Sequence, residues 1–578
     1  MHGPVGRVAG TPVVPDELQV TRRAVIQSGG PDDSRLGRGL AAGRREVVAF
    51  FERDRLVLAA LLALAALIRL VGLPGRGDFD GDQGHDMLTL LRFVRDGQVP
   101  LLGPPTSIGD FHHGAAYYFL LAPAAWLSGS DPVAVLAAIA ALGTAAVGVT
   151  WWLARAIGGR VAGLIAGLLL AVSPAAVEQS TFLWNPNPIP FFAVVALATA
   201  WHARETGRAR WWAVAVASAG MVLQLHVLGI VFLPPILALG TVDAIRASRI
   251  GDGDRARRAL AGMAAGMAVI ALLFVPLLVH ELQTGFEETG RFVAYFTGRS
   301  GGGSVSTLDP LERLVFTAFR IVGWPLVGLV TSAPLAAIVS VSGALVLGLW
   351  LMVAGRGAER TMARWLGLTI AWSVVALTFL APSLQTVVAG LPNDHYHAFL
   401  DPAVIILIAL AFRALGSGSG LQVSADRAAR VVVAGAILAL VGIAIGRWPP
   451  LTQANGGWPN AREAGARIVA LAPDATFDVR GLPIFKTAEG IGYPMIAAGG
   501  SAVMSTNVET ATRPLAVGAT LVIACDRLFE SVIGDSCGGP AESRFLGRIP
   551  GLGTGDDAPV LIDRFDASPR TSISVYRP

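Results

Sequence analysis

The chain has 578 residues, of which 53% are hydrophobic and 15% charged, and its mean hydropathy is +0.58. A chain this long and this apolar cannot form one water-soluble core, so the composition indicates a polytopic membrane protein. The pI of 9.4 gives no reason to expect a nucleic-acid partner, because the net charge is only +4 and the positive-inside rule explains the arginines of the short loops.

Residues 1–50 have no periodic apolar face and are predicted to form a disordered basic tail. Arginines such as Arg22, Arg23 and Arg35 place this tail in the cytoplasm. No apolar run precedes about residue 56, so we expect no cleavable signal peptide and a first span, near Leu56–Val71, that stays as an anchor.

The first outer loop, residues 74–131, concentrates titratable side chains between two apolar segments. The sequence GDFDGDQGHD supplies acids and a histidine, and GDFHHGAAYY adds two histidines and two tyrosines. Titratable groups that can meet at a membrane surface suggest a reaction site. Two of the acids, Asp78 and Asp86, are expected to be solvated or to favour the start of the following helix.

Further apolar stretches long enough to cross a bilayer lie near 132–154, 161–178, 188–203, 211–227, 229–246, 259–279, 335–354, 364–381, 399–415 and 430–447. The segment 280–334 is apolar but contains Arg320 and Pro325. Counting it as a span would place Arg356, Arg360 and Arg364 outside, so it is predicted to be an outer loop with an amphipathic or re-entrant helix. The predicted fold class is a polytopic α-helical membrane domain, 51–448, with about eleven transmembrane helices.

Residues 449–578 have fewer apolar runs and are predicted to form a small α/β domain. AREAGARIVALA has helical spacing, whereas ATFDVRG, ATLVIACD, APVLIDRF and TSISVYR read as strands. An odd number of spans places this domain outside. In an oxidising compartment, Cys525 and Cys537 can form a disulfide worth roughly 3 kcal/mol; two free buried thiols are the alternative.

Polar residues also gather where other spans reach the outer side. Asn185 and Asn187 lie in FLWNPNPIP, His226 ends LQLH, and DHYHAF holds Asp394, His395 and Tyr396. Cytoplasmic loops carry mostly arginine and small residues, so a catalytic pocket is expected at the outer face. Histidines can instead satisfy helix ends, and Tyr117 and Tyr118 can instead belong to an interfacial aromatic belt.

The order of FDGDQGHD, HHGAAYYFLLAP and DHYHAFLDPAVIILIAL resembles the GT-C class of polyprenyl-phosphate-dependent glycosyltransferases. Within that class it resembles the family 39 group, which includes protein O-mannosyltransferases and aminoarabinose transferases. The resemblance covers roughly residues 50–415. It implies transfer of a sugar from a polyprenyl-phosphate donor to a hydroxyl of a lipid, glycan or protein, with inversion.

The resemblance also implies roles for individual residues. Asp82 matches the family's acidic position and is the predicted general base, with Asp80 as the second candidate. The predicted substrate-binding residues are His112, His113, Tyr117, Tyr118, Asn185, Asn187, His226, Asp394, His395 and Tyr396.

The sequence departs from the family at two places. Gln83 stands where a second acid is common, and Asn185 and Asn187 stand where relatives often carry Asp. Both changes disfavour a divalent metal, whose site requires carboxylate oxygens. The abundance of Ala, Gly and Arg with almost no Lys suggests a bacterial cytoplasmic membrane.

Two other functions compete with the enzyme. A transporter or flippase for a lipid-linked sugar would be expected to show internal repeats and polar residues at mid-membrane depth, whereas the titratable residues here crowd one face. A scaffold without activity would be expected to have lost its base, but Asp80 and Asp82 are both present.

Overall fold

The computed structural model describes residues 54–106, 111–297, 308–381, 384, 394–417, 423–484, 488–515, 517–552 and 558–578. The chain divides into two compact units, Met1–Ala59 and Ala60–Pro578. All features that follow belong to the second unit.

The apolar part of the chain is helical. Its helices are α1 (60–70), α2 (Leu73–Arg76), α3 (Gly81–Asp96), α4 (Ala116–Ser128), α5 (Pro132–Val172), α6 (Pro174–Glu178), α7 (Ile189–Thr206), α8 (Ala209–Leu225), α9 (Leu233–Arg249), α10 (Gly253–Leu273), α11 (Val275–Thr284), α12 (Glu287–Phe296), α13 (Pro310–Val327), α14 (Pro334–Ala354), α15 (Gly357–Leu380), α16 (Asp401–Gly416) and α17 (Val423–Ile445). Short 3₁₀ helices, Val227–Phe232 and Asp394–Leu400, precede α9 and α16.

A helix lies at each position where the sequence predicts a span. Two predicted spans fall within α5, which turns at Gly159 with φ 78° and ψ −172°. Gly163 and Gly167 then pack against Arg155 and Trp151 of the first half, so α5 is a helical hairpin. Of the helices within the described ranges, seven are long and apolar enough to cross a membrane, with α5 counted once. This is the architecture of a polytopic α-helical membrane protein.

The segment predicted to be an outer loop, 280–334, contains the end of α11 and the helices α12 and α13. None of these three, as far as they are described, has the length and composition of a span. Asp309 caps α13 in a capping box with Glu312, and Pro325 lies near the end of that helix. Arg320 of α13 is fully buried, which makes the segment part of the packed structure.

The polar C-terminal part contains a five-stranded mixed sheet in the order β2-β1-β3-β5-β4. The strands are β1 (Thr476–Leu482), β2 (Ser501–Ser505), β3 (Thr520–Asp526), β4 (Val560–Asp566) and β5 (Thr571–Arg577), and the helices are α18 (Gly457–Leu471), α19 (Ala488–Ala497), α20 (Val508–Ala511), α21 (Glu530–Ile533) and α22 (Pro540–Leu546). Strand β1 pairs in parallel with β2 and β3, whereas β5 pairs antiparallel with β3 and β4.

Both faces of the central strand β3 are covered. Val522 packs in one apolar cluster with Ile468 and Phe477, and Leu521 packs in the other with Phe545. This two-sided burial explains the continuous apolar run TLVIAC in the sequence. A disulfide joins Cys525 of β3 to Cys537, with the two Cα atoms 5.7 Å apart.

Candidate functional site

Six segments that are distant in sequence line one cleft with about 590 Å³ of empty space, part of it open to solvent. The lining residues include His113 from the loop before α4, Trp184 and Asn185 from the turn before α7, His226 at the end of α8, Tyr295 of α12, and His395 and Tyr396 before α16. Four of the predicted substrate residues outside the first loop, Asn185, His226, His395 and Tyr396, thus meet at one place, together with His113.

Backbone contacts fix two of the histidines. The backbone N–H of His226 donates to the Val222 carbonyl at 3.0 Å. The side-chain Nδ1 of His226 accepts from the Leu228 N–H at 3.2 Å. His113 Nδ1 accepts from the Val227 N–H at 3.3 Å. Because Nδ1 accepts in both rings, Nε2 carries the proton in each. His226 therefore satisfies a helix end, as the alternative interpretation proposed, and also lines the cleft.

Both imidazoles are neutral at pH 7. Burial, followed by the neighbouring His112, lowers the pKa of His113 to about 3. Burial also lowers the pKa of His226 well below its ordinary value, and His113 and His395 add to that effect. The two rings lie 4.8 Å apart and can donate neutral hydrogen bonds to a sugar hydroxyl or a phosphate oxygen.

Aromatic side chains form one wall of the cleft. The His395 ring lies 4.1 Å from the Trp184 ring and 4.3 Å from the Tyr396 ring, and Tyr396 lies 4.7 Å from His226. A concave surface with rigid aromatic groups and a few fixed polar atoms is typical of a small-molecule site.

The start of α3 is fastened to the turn that supplies Trp184 and Asn185. Asp80 caps the helix, accepting from the Gly81 N–H at 2.7 Å. Gln83 Oε1 accepts from the Asp80 N–H at 2.9 Å, and its Nε2 donates to the Leu183 carbonyl at 2.8 Å. A carboxylate at position 83 could not make the second bond, because it has no N–H group to donate to the Leu183 carbonyl.

The remaining acids of the first loop have different environments. Asp82 is exposed on the first turn of α3 and is not among the cleft-lining residues. Asp86 is buried and accepts from the Tyr118 hydroxyl at 2.9 Å. Burial, partly offset by His85 and Tyr118, raises the pKa of Asp86 to about 7. The expectation that Asp86 is solvated or caps the helix is wrong, because it lies a full turn beyond the helix start.

Tyr117 and Tyr118 are buried to 0% and 1% exposure and do not line the cleft. Side chains so deeply buried do not form an interfacial belt, and the substrate-binding role of these two tyrosines stays a prediction. The Tyr118 hydroxyl supplies a hydrogen-bond donor that Asp86 needs in its buried position.

Asp394 and Asn187 have structural partners instead of facing the cleft. Asp394 accepts from Arg320 Nε at 2.8 Å and lies 3.1 Å from His397 Nε2, with both its own and the Arg320 side chain buried. The amide of Asn187 donates to the Phe182 carbonyl at 2.6 Å. These contacts hold the segments that present His395 and Trp184. The predicted role of Asp394 and Asn187 in substrate binding stays a prediction. Asn185 also donates to a backbone carbonyl, that of Leu225, at 2.5 Å, but it lines the cleft.

His112 faces away from the cleft toward α12. Its backbone N–H donates to Glu288 Oε2 at 2.7 Å, and its Nδ1 lies 3.1 Å from Glu288 Oε1. This contact ties the loop before α4 to the helix that supplies Tyr295.

Four charged residues that contact the cleft segments or the start of α3 are not predictable from the sequence, namely Glu178, Glu288, Glu489 and Arg570. Glu178 ends α6, and burial followed by the charges of Asp394 and Asp78 raises its pKa to about 7. Glu178 is the single acid in the run AVEQS, and nothing in that run predicts that it lies near Asp394 and Asp78. Within the described ranges, no group of three or more His, Cys, Asp or Glu side chains converges as metal ligands.

Solved structures of ArnT from Cupriavidus metallidurans have a similar fold. The structure bound to undecaprenyl phosphate aligns with a TM-score of 0.55 at 13% identity, covering 89% of this chain and 97% of that chain. The apo structure aligns over the same shares, with a TM-score of 0.53 at 13% identity. No model of a known protein family and no curated protein sequence matches the chain. By its architecture, then, the chain shares the fold of these two ArnT structures.

Proposed function

We propose that the chain is an inverting glycosyltransferase. It moves a sugar from a polyprenyl-phosphate donor to a hydroxyl of a lipid, glycan or protein at the extracytoplasmic face of a bacterial cytoplasmic membrane. The amino-terminal tail, 1–50, is cytoplasmic in this proposal, and the domains 51–448 and 449–578 supply the transmembrane part and an outer α/β domain.

One observation carries the proposal: residues from six distant segments converge in a cleft, and the turn that supplies Trp184 is hydrogen-bonded to the capped start of an acid-bearing helix. The similar ArnT structure was solved with undecaprenyl phosphate bound, which supports a lipid-phosphate donor for this chain.

The chemistry requires a base, because an acceptor hydroxyl has a pKa far above 7. Asp80 is engaged in capping and Asp86 is buried, whereas Asp82 is exposed, which leaves Asp82 as the base. The acceptor oxygen bonds to the anomeric carbon while the bond from that carbon to the phosphate oxygen breaks. The hydroxyl proton goes to Asp82, and polyprenyl phosphate leaves with the electron pair. Nε2–H groups of His113 and His226 are placed to stabilise charge on the leaving group.

The test is an assay of membranes with a panel of polyprenyl-phosphate sugars. Removing the base with Asp82→Asn is expected to lower transfer by about 10²- to 10⁴-fold. Asp80→Asn is the matched control: it removes the neighbouring carboxylate, keeps a capping side chain, and should cost less. Transfer by Asp82→Asn at the wild-type rate would contradict the assignment of the base. Movement of intact lipid-linked sugar between leaflets without cleavage would favour a transporter.

A further inference from the structure

The C-terminal α/β domain lies directly against the first-loop helix α3. Gly84 of α3 and Gly490 of α19 meet backbone to backbone. A Cβ on Gly84 would lie 2.1 Å from the Glu489 carbonyl oxygen, and one on Gly490 would lie 2.7 Å from the Asp80 carbonyl carbon. No side chain separates the two helices here, so the position of α19 directly limits the position of Asp80 and the start of α3.

Arg570, in the turn between β4 and β5, makes an ionic contact across this junction. Its Nε and Nη2 bind the buried Asp526 of β3 at 2.9 and 2.8 Å. Its Nη2 also donates to Asp80 Oδ2 at 3.2 Å, and its Nη1 lies 3.8 Å from Asp78. The guanidinium is thus anchored within the domain by one carboxylate and reaches two carboxylates of the first loop.

A second ionic contact lies one turn along α3. His85 Nδ1 is 3.0 Å from Glu489 Oε1 and 3.1 Å from Oε2. Neutral contacts extend the junction: the Phe79 ring lies 4.9 Å from the Trp458 ring, and the Tyr493 hydroxyl donates to the Ser130 carbonyl. The outer domain therefore holds residues before, at and after the helix start.

We propose that the C-terminal domain contributes to the transferase site. In this proposal Arg570 is a positioning residue that fixes the start of α3 and thereby sets the position of the Asp82 carboxylate. The role of Arg570 rests on the proposed function. Asp82 lies two residues beyond Asp80 on the first turn, so a displaced helix start displaces the base. A domain that held α3 only to stabilise the fold would leave the chemistry of Asp82 unaltered.

The electrostatic consequence can be measured. The charged groups around the helix start are Asp78, Asp80, Asp82, His85 and Asp86 from the first loop and Glu489, Asp526 and Arg570 from the outer domain. Removing the single guanidinium makes ionisation of the remaining carboxylates harder, because like charges disfavour the charged form. The acidic limb of the pH profile of kcat/KM then moves to higher pH.

The experiment compares full-length wild type, Arg570→Gln and Arg570→Lys in lipid nanodiscs. Arg570→Gln should lower kcat roughly 10- to 100-fold, as expected when a reacting group is misplaced by up to about 1 Å, and should move the acidic limb upward. Arg570→Lys keeps the positive charge but loses the planar set of N–H donors of the guanidinium. It should therefore return the acidic limb of the pH profile to the wild-type position and recover only part of kcat. Arg467→Gln is the matched control, because Arg467 pairs with Asp563 inside the domain at 2.7 Å.

A second readout does not depend on activity. Hydrogen exchange of the amides at 81–86 should be faster in Arg570→Gln than in wild type and unchanged in Arg467→Gln. If Arg570→Gln does not fold, Glu489→Gln breaks the His85 contact and should raise the same exchange and lower kcat. Unchanged exchange, kcat and pH profile in a folded variant overturn the proposal. Absence of transfer by wild type would instead refute the proposed function, and the exchange result would still decide whether the domain holds α3.

Discussion

At the residue scale, the buried pair of Arg320 and Asp394 is sensitive to a single change. The Arg320 guanidinium also donates to the Leu384 carbonyl at 2.6 Å, so the ion pair joins α13 to the segment that presents His395. A buried ion pair is weak evidence of net stabilisation, but losing one partner leaves an uncompensated charge.

We therefore expect Arg320→Met to lower the free energy of unfolding by about 3–5 kcal/mol. The double variant Arg320→Met/Asp394→Leu should recover most of that loss, because it leaves no unpaired carboxylate. Denaturant unfolding of the purified protein in detergent measures both values. Equal losses in the single and double variants would contradict this explanation.

The His85 contact gives a pH dependence with a definite sign. Burial alone would lower the pKa of His85, but the hydrogen bond and charge of Glu489, with Asp86 and Asp82, raise it to about 9. A folded-state pKa above the unfolded value stabilises the protein fully below about pH 6.5. This contribution is lost as the pH rises through about 9.

The difference in thermal unfolding midpoint between wild type and His85→Gln measures this contribution. It should be largest below about pH 6.5 and should disappear above about pH 9. A difference that grows with increasing pH would show that His85 is not stabilised as a cation by Glu489.

Single residues also show what the sequence can and cannot predict about the site. Asn185, His226, His395 and Tyr396 were predicted because polar residues at the same end of several spans converge when the spans pack. Asp394, Asp86, Tyr117 and Tyr118 look equally polar in the sequence, but partners distant in the chain, or a helical turn away, decide whether such side chains face a cleft or satisfy each other. Which of these polar side chains become hydrogen-bond partners cannot be predicted from the sequence pattern.

At the scale of elements, the contact between α3 and α19 depends on glycine. We expect Gly84→Ala to force the two helices apart, because its Cβ would lie 2.1 Å from the Glu489 carbonyl oxygen. The kcat of sugar transfer should fall strongly, whereas the thermal midpoint should change little, because the displaced part is the start of α3. Gly343→Ala in α14 is the control, because a Cβ there meets no atom within 4 Å.

Parallel measurements of kcat and the thermal midpoint for the two alanine variants test this expectation. An unchanged kcat in Gly84→Ala would mean that α3 tolerates displacement and that close contact with α19 is not needed.

Most elements were predictable because their signals are local. Long apolar runs predict the membrane helices, and four of the five strands follow from short apolar or alternating segments. Strand β2 was missed because SAVMS is short and lies at the sheet edge, where burial imposes little pattern. The apolar pattern predicts two spans on either side of Gly159. It does not show that the chain turns there through the positive φ of this glycine.

At the scale of the whole molecule, Ala60–Pro578 forms one compact unit, in which the C-terminal α/β part packs against the first polar loop. The junction could not be foreseen, because Arg570 and Asp80 are separated by 490 residues and neither belongs to a recognisable motif. Their contact links the last β-hairpin to the first polar loop and places both beside the proposed reaction.

The central claim is that a lipid-linked sugar binds in the cleft with Asp82 as the base. The most direct test is a cryo-electron microscopy structure of the full-length protein in nanodiscs with a non-hydrolysable polyprenyl-phosphonate sugar. We predict that the sugar ring lies against Trp184 and His395. The Asp82 carboxylate should lie in hydrogen-bond reach of an acceptor hydroxyl at the anomeric carbon, directly or through one water. A sugar bound outside this cleft, or an Asp82 carboxylate out of that reach, would contradict the account.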